Sequence, residues 1–360
     1  MPTLSEVVAV LDDLYDPDHA ETWDAVGTVA GDPAAPIRKI LFAVDPVQSV
    51  VDEAVAWGAD LVVTHHPLWL RGVTSVAASD PKGRVVHTLI SHGIALHTCH
   101  TNADSPALGV SESMALALGL QDLRPLDPDP TPSIDGWTVY VPTEDADTVI
   151  TAMHAAGAGA IGDYERVFFR SEGIGSFRPT EGAHPAIGAI GRVEEVPESR
   201  IELVAPPHLR EHVRAAMVAA HPYEQVAHQV VEIQCEPSTD RGSGRIGTLA
   251  EPTTLGDFAQ AVTRALPGHR SANRVAGPLD TPVRTVALCG GSGDFLLGTA
   301  TAAGADVYVT SDLRHHPVSE HLERGGCAVI DVPHWSAEWT WLPVAAREIG
   351  GRLPDVETRV

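Results

Sequence analysis

The chain has 360 residues, 44% of them hydrophobic, which is enough for two or three domains or for one large domain with an insertion. It has 24 Lys and Arg residues against 48 Asp and Glu, a formal net charge of −24, so its surface repels nucleic acid and anionic lipid. We find no basic run, no apolar stretch of membrane-spanning length and no signal-peptide pattern. We therefore predict a cytoplasmic protein with no nucleic-acid partner and no membrane partner.

The N-terminal part of the sequence predicts a βαβ unit. Thr3 and Glu6 form a capping-box pattern that begins a first helix. The elements expected after it are, in order, a strand at 39–45, a helix at 46–58, a strand at 59–66, a helix at 83–93, a strand at 94–104 that runs into a loop, and a helix at 111–120. A crossover helix between two strands usually pairs them in parallel, so we expect a parallel sheet.

The composition changes in the middle of the chain. The Pro/Asp-rich segment 123–135 is typical of a linker, and 238–245 is typical of a second flexible joint. Between them the patterns alternate as strand, helix, strand, helix, strand, as in an α+β domain. We therefore predict an inserted domain over 126–244 and one discontinuous domain made of 1–125 and 245–360.

The C-terminal part repeats the plan of the N-terminal part. It predicts a strand at 284–293 that ends in glycines, a helix at 295–304 and a strand at 305–312. The Gly-Ala-Asp segments at 58–60 and 304–306 align, and His-His-Pro follows the strand in each half. We interpret this as a duplicated half-domain, although Gly-Ala-Asp also recurs in unrelated α/β proteins. The predicted fold class is α/β, a duplicated domain interrupted by an inserted domain.

Residue types that bind metals collect where these strands end. They are His65 and His66, His97, His100 and Asp104, His315 and His316, and His334 with Glu338. Imidazoles and carboxylates are ligands of Zn, Mn, Fe, Co and Ni, and ligands of open α/β sheets bind at the carboxyl ends of the strands. Adjacent side chains on an extended backbone point to opposite sides, so His65 and His66 favour two ions with one imidazole each. Asp104 and Glu338 are the candidate bridging carboxylates.

Each of these segments also has a purely structural explanation. A His-His-Pro segment is more often a loop or a structural pair, and Asp104 can cap a helix that begins at Ser105. His334 and Glu338 are four residues apart, which suits one helix face. Pro343, with Thr340 as a cap, would instead start the helix after Glu338 and leave both residues in a loop. The joint occurrence of the segments at strand ends favours a metal site.

Taken together, these residues resemble the NGG-interacting-factor-three-like family of dinuclear-metal-centre proteins, often labelled GTP cyclohydrolase type 2 homologues. The segments that carry the resemblance are TWDAVGTVAGDP (22–33), VVTHHPLW (62–69), HTNAD (100–104), TSDLRHH (310–316) and VIDVPHWSAE (329–338). The insertion resembles, at 176–188 and 221–233, the PII-like or CutA-like domain of longer members, which implies a ferredoxin-like fold.

The resemblance implies two divalent metal ions per chain, and it leaves their identity open. The ligands that it implies are His65, His66, Asp104, His334 and Glu338. Glu338 bridges the ions, with His65 and Asp104 on one and His66 and His334 on the other. His100 and His316 match family positions close to the metals. The resemblance makes them candidates for contacting either the metal ligands or the substrate.

The resemblance also implies a toroidal homohexamer, a trimer of dimers with its metal sites facing an internal cavity. Two departures from the family pattern affect the last ligands. Pro333 and Ser311 stand where the family commonly has glycine. Because proline fixes φ, Pro333 makes His334 and Glu338 the least secure ligands.

A pair of metal ions favours hydrolysis, because two cations lower the pKa of a shared water and bind both oxygens of a displacement. The predicted function is that of a metal-dependent hydrolase acting on a nucleotide-like substrate such as GTP. The alternative is a non-enzymatic protein for metal storage or delivery, or a regulatory scaffold whose insertion senses a ligand. A third interpretation is an interaction protein in transcription or stress control that does not itself bind DNA.

Overall fold

A computed structural model of the chain describes residues 1–131, 133–268 and 271–360. Its strands are β1 (Gly27–Ala30), β2 (Lys39–Ala43), β3 (Leu61–Thr64), β4 (Ala95–Thr98), β5 (Gln121–Pro128), β6 (Ile134–Pro142), β7 (Phe169–Phe177), β8 (Glu194–Ala205), β9 (His228–Ile233), β10 (Gly242–Thr254), β11 (Arg274–Ala276), β12 (Pro282–Ser292), β13 (Val307–Ser311), β14 (Ala328–Val332) and β15 (Glu357–Arg359).

The α-helices in the described ranges are α1 (Leu4–Leu14), α2 (Gln48–Trp57), α3 (Pro81–Ser91), α4 (Thr101–Asp104), α5 (Val110–Ala117), α6 (Ala146–Ala155), α7 (Arg210–Ala220), α8 (Leu255–Ala265), α9 (Leu297–Ala302), α10 (His315–Glu323), α11 (His334–Trp339) and α12 (Trp341–Arg352). None of these combines the length and the apolar character that a bilayer crossing requires. The chain divides into two compact units, 1–129 with 238–360, and 130–237.

In the first unit, one sheet has the strand order β1-β4-β3-β2-β15. The successive strands β2, β3 and β4 pair in parallel through the crossovers α2 and α3, as the sequence predicts. Every residue of β3 and β4 is buried, because one core lies on each face of the sheet. The predicted capping box of α1 is present, since the Thr3 hydroxyl accepts from the Glu6 N–H and the Glu6 carboxylate accepts from the Thr3 N–H.

A second sheet of the same unit repeats this order, as β11-β14-β13-β12-β10-β5. Its strands β12, β13 and β14 are parallel, and antiparallel β11 borders β14 as β1 borders β4. The aligned aspartates have the same contacts in both halves: Asp60 accepts the N–H groups of Arg38 and Lys39, and Asp306 accepts those of Arg284 and Thr285. The two halves therefore share the topology of these four strands and differ beyond them, since β15 is parallel to β2 whereas β10 is antiparallel to β12.

The segments expected to be linkers are partly strand. Within 123–135, β5 pairs antiparallel with β10, which begins inside the expected joint 238–245. Pro125 and Pro128 are tolerated because β5 is the edge strand of its sheet. Because of this pairing, the first unit includes residues up to 129 and again from 238 onwards. The boundaries predicted from composition are 125/126 and 244/245.

The second unit has the element order β6-α6-β7-β8-α7-β9 and one antiparallel sheet, β7-β8-β6-β9. This is the ferredoxin-like arrangement. Its core includes Trp137 of β6 and Met153 of α6. The sequence patterns missed β7, because Gly173 and Gly175 interrupt its alternation and this edge strand is mostly exposed.

Candidate metal centre

Six side chains that can bind metal converge at the carboxyl ends of the parallel strands in the first unit. They are His65 and His66 directly after β3, His100 and Asp104 around α4 after β4, and His334 and Glu338 on α11 after β14. The donor atoms of His65, His66 and His100 lie within 4.8 Å of one another, as do those of His66, His334 and Glu338. Both halves of the unit thus contribute to one cluster.

Glu338 lies at the middle of this cluster and is only 3% exposed. Its Oε1 is 2.7 Å from His334 Nε2 and 3.4 Å from His65 Nε2, and its Oε2 is 3.1 Å from His66 Nε2. Asp104 Oδ1 is 3.6 Å from His65 Nε2. When His66 is neutral, with its proton on Nδ1, the buried Oε2 accepts no hydrogen bond from the described residues. A carboxylate surrounded by three imidazole nitrogens has the donor chemistry of a bridging metal ligand.

The helix α11 brings His334 and Glu338 onto one face, four residues apart. The expectation that both lie in a loop before the last helix is therefore wrong. Thr340 joins α11 to α12 with helical torsion angles, so the two helices follow each other directly. Pro333 precedes α11 with φ −60°, which its ring allows, and Pro343 falls in the first turn of α12, where proline is tolerated.

Each imidazole of the cluster is held through Nδ1. The acceptors are Cys99 O for His65 (2.9 Å), Asp45 for His66 (2.8 Å), Asp24 for His100 (2.8 Å) and Asp312 for His334 (2.6 Å). These oxygens accept, so each Nδ1 carries a proton, and in the neutral form of the ring the lone pair of Nε2 is left for a metal ion. This tautomer and this carboxylate support are typical of metal-ligating histidines.

A cavity of about 540 Å³ opens next to the cluster. His66, His100, Asp104, His334 and Glu338 line one part of it. The other walls include serine hydroxyls, the Gly290–Ser292 end of β12 and two aromatic side chains, Trp23 and Phe295, which are 57% and 64% exposed. The cluster is therefore accessible to a small molecule.

The sequence model of the family Duf34/NIF3 (NGG1p interacting factor 3) matches residues 2–360. The chain belongs to the Duf34/NIF3 family. Its relatives named GTP cyclohydrolase 1 type 2 homolog include one from Mycobacterium tuberculosis, 46% identical over 98% of this chain and 93% of the relative. Another, from Bacillus subtilis, is 36% identical over 92% of this chain and 88% of the relative.

Solved structures of Duf34/NIF3-like proteins match the whole chain. A Bacillus cereus protein related to NIF3 is 34% identical with a TM-score of 0.69, and the match covers 99% of this chain and 96% of that one. A Staphylococcus aureus protein is 26% identical with a TM-score of 0.81, over 100% and 96% of the two chains. The predicted family and the mixed α/β class are therefore confirmed.

Sequence reasoning missed the three aspartates that hold the imidazoles. Asp45 and Asp312 lie just past the ends of β2 and β13, the same kind of position that singled out the histidines, so the strand-end signal was available. Asp312 adopts a left-handed φ of +59°, which aspartate tolerates better than most residues. Asp24 belongs to the TWDAVG segment, but nothing in the spacing connects it with His100, 76 residues away.

Three histidines named at strand ends do not join the cluster. His97 is buried inside β4 beside Thr28, and burial lowers its pKa to about 4. His315 and His316 are exposed in the first turn of α10 and line another cavity. The Asp-Leu-Arg segment after β13 moves this His-His pair several residues beyond the strand end. The expected contact of His316 with the metals is therefore not formed within this chain.

In the absence of metal, protons occupy imidazole positions of the cluster that would otherwise bind a metal ion. Burial opposes charge on His66, yet its contacts with Asp45 and Glu338 raise its pKa to about 10. The pKa of His334 rises to about 9 against the same opposition from burial, through contacts with Glu338 and Asp312. Burial raises the pKa of Asp104 to about 6, whereas the imidazoles overcome burial at Glu338 and hold its pKa well below the usual value.

Asp312→Asn is expected to weaken metal binding roughly 10- to 100-fold, because the neutral amide no longer supports the basicity of His334. Asparagine also accepts the left-handed backbone at this position, so the fold is retained. Competition with a chromophoric chelator measures the affinity. Asp163→Asn, an exposed change in the second unit, serves as the control. Equal affinities in the two variants would contradict the role of Asp312.

Gly291→Ala is expected to lower both the metal content and the stability. Gly291 has φ +69°, and a Cβ there would lie 2.7 Å from Glu338 Oε1. The strained backbone alone costs about 1–3 kcal/mol, and the methyl group displaces the carboxylate. Denaturant unfolding and elemental analysis measure the two effects. Gly304→Ala, which has φ +79° and open space around a Cβ, is the matched control.

Proposed function

We propose that this Duf34/NIF3 protein binds two divalent metal ions and hydrolyses a nucleotide-like substrate in the adjoining cavity. The observation that carries the proposal is the buried Glu338 carboxylate in contact with three imidazole Nε2 atoms. His65 and Asp104 would hold one ion and His66 and His334 the other, with Glu338 as the ligand that both ions would share. The mixed N/O ligand set suits Zn, Fe, Mn, Co or Ni.

The open cavity favours an enzyme over a closed storage site. When bound, the metal ions activate water and bind phosphate oxygens. The chain's own residues bind and orient the substrate. His100 faces the cavity with its Nδ1 fixed by Asp24, so it can exchange a proton or a hydrogen bond with the substrate through Nε2. Trp23 and Phe295 offer exposed ring faces at the same cavity, on which a planar base can stack.

The relatives share the name GTP cyclohydrolase 1 type 2 homolog, which makes GTP the first substrate to test. We expect the metal-loaded protein to release product from GTP, a chelator to stop the release, and Asp104→Ala to abolish it while the fold remains. Asp163→Asn is again the control. Tight stoichiometric metal binding with no turnover over a panel of nucleotides would contradict the hydrolase and support metal storage or delivery.

We also propose that the chain forms a homohexamer, a trimer of dimers, and that its second unit is a PII-like or CutA-like domain. The family likeness supports the first statement and the ferredoxin-like strand order supports the second. Light scattering coupled to size exclusion tests the assembly. A mass near six times the 38.0 kDa of the chain is expected, and a monomer at micromolar concentration would contradict it.

A further inference from the structure

A cavity of about 370 Å³ lies wholly within the second unit. Its walls come from the end of β7, the chain that follows it, β8, and the segment 223–227. None of the residues of the metal cluster takes part in it. Its volume is at the low end of the range for ligand pockets, which suits a small molecule.

One polar group of this cavity is firmly held. Tyr223 donates its hydroxyl to Glu198 Oε1 at 3.1 Å. The Glu198 carboxylate also lies against Gly175, where there is no room for a Cβ. Tyr223 is fixed in turn, because its N–H donates to Nδ1 of the buried His221 and Nε2 of that ring donates to Tyr140 O. The cavity therefore presents a preorganised carboxylate.

A cation shares this cavity without neutralising the carboxylate. Arg178 lines the same cavity and is exposed, and within the described part of the chain it forms no ion pair and no side-chain hydrogen bond. The other lining acid, Glu224, accepts the backbone N–H of His184 and so fixes the loop. A free guanidinium and a fixed carboxylate thus face one small space.

The remaining walls are largely apolar. The Phe177 ring meets the Tyr223 ring edge to face, with centroids 5.6 Å apart, and Ile187 is among the aliphatic neighbours. Aromatic and aliphatic walls around two opposite charges match a molecule that has both charges and an apolar body.

We propose that this cavity binds a free α-amino acid with an apolar side chain. Glu198 and the Tyr223 ring receive its ammonium group, Arg178 binds its carboxylate, and its side chain packs on Phe177 and Ile187. This site is independent of the metal-dependent activity, so it stands or fails separately from the hydrolase proposal.

Calorimetric titration of the full-length, metal-loaded protein tests this site with three probes. L-Phenylalanine has both charges, phenethylamine lacks the carboxylate, and 3-phenylpropionate lacks the ammonium group. We expect L-phenylalanine to bind and each single-charge analogue to bind roughly tenfold more weakly or worse. No heat from L-phenylalanine at millimolar concentration, or equal binding of all three probes, would overturn the proposal.

Two charge-removing variants locate the binding. Glu198→Gln keeps an acceptor for Tyr223 and is expected to weaken L-phenylalanine and phenethylamine at least tenfold. Arg178→Gln is expected to weaken L-phenylalanine by a similar factor and to leave phenethylamine unchanged. Glu195→Gln, on the opposite face of β8, and Arg192→Gln, outside the cavity lining, are the matched controls. Unchanged affinity for L-phenylalanine in the first two variants would contradict the assignment.

Discussion

Replacing Glu338 with glutamine is expected to reduce the metal content from about two ions per chain to less than one. The side chain keeps its size, but the neutral amide cannot share negative charge between two cations. The three imidazoles that surround it then lose the anionic partner that they share. Elemental analysis of protein purified without chelators measures the change, and the loss of turnover on GTP should accompany it.

The control for this substitution is Glu323→Gln on the exposed surface of α10, which removes the same charge outside the cluster. Circular dichroism and thermal unfolding check that both variants fold. Full metal content in Glu338→Gln, in a folded protein, would show that this carboxylate is not a bridging ligand.

Metal affinity is expected to rise steeply with pH between about 6 and 9, by roughly 10- to 100-fold per pH unit if one or two protons leave on binding. The reason is that Glu338 and the outer aspartates raise the pKa of His66 to about 10 and of His334 to about 9, so metal must displace protons from both rings. Chelator competition at several pH values measures the slope, and calorimetry in buffers of different ionisation enthalpy counts the protons. A flat profile would contradict competition at these imidazoles.

The same protons give the metal-free protein the opposite dependence on pH. A histidine whose folded-state pKa is raised stabilises the fold fully below its unfolded pKa of about 6.5, and this stabilisation is lost as pH rises through 9 to 10. Chelator-treated protein is therefore expected to unfold at lower temperature at pH 9 than at pH 7, while metal-loaded protein is not. Glu338, whose pKa is lowered, adds stability that is lost only in acid.

Most residues of the cluster could be predicted from the sequence, because they follow the carboxyl ends of predicted strands. The buried strand β4 is parallel to β3 in one sheet, β14 is parallel to β13 in the other, and the carboxyl ends of parallel strands share one edge of their sheet. His65, His66 and Asp104 follow from that rule alone. The same rule failed at His316, because it does not say how many residues after a strand end still lie at the sheet edge. A few additional residues after β13 place this ring on a helix surface instead.

Features that depend on distant partners could not be predicted in this way. The Pro/Asp-rich segment becomes β5 only because β10, more than a hundred residues later, pairs with it. Asp24 has its role only because the fold brings it to His100 and Thr101, whose hydrogen bonds outweigh burial and lower its pKa. The local sequence pattern sets the intrinsic preference of such a segment for strand or loop, and its pairing with distant residues decides which of the two it forms.

Anomalous diffraction from crystals grown with metal retained would locate the ions. We predict two peaks per chain about 3.5–4 Å apart on either side of the Glu338 carboxylate, each within bonding distance of the imidazoles assigned to it. Peaks elsewhere in the chain, or none at this cluster at full metal loading, would contradict it.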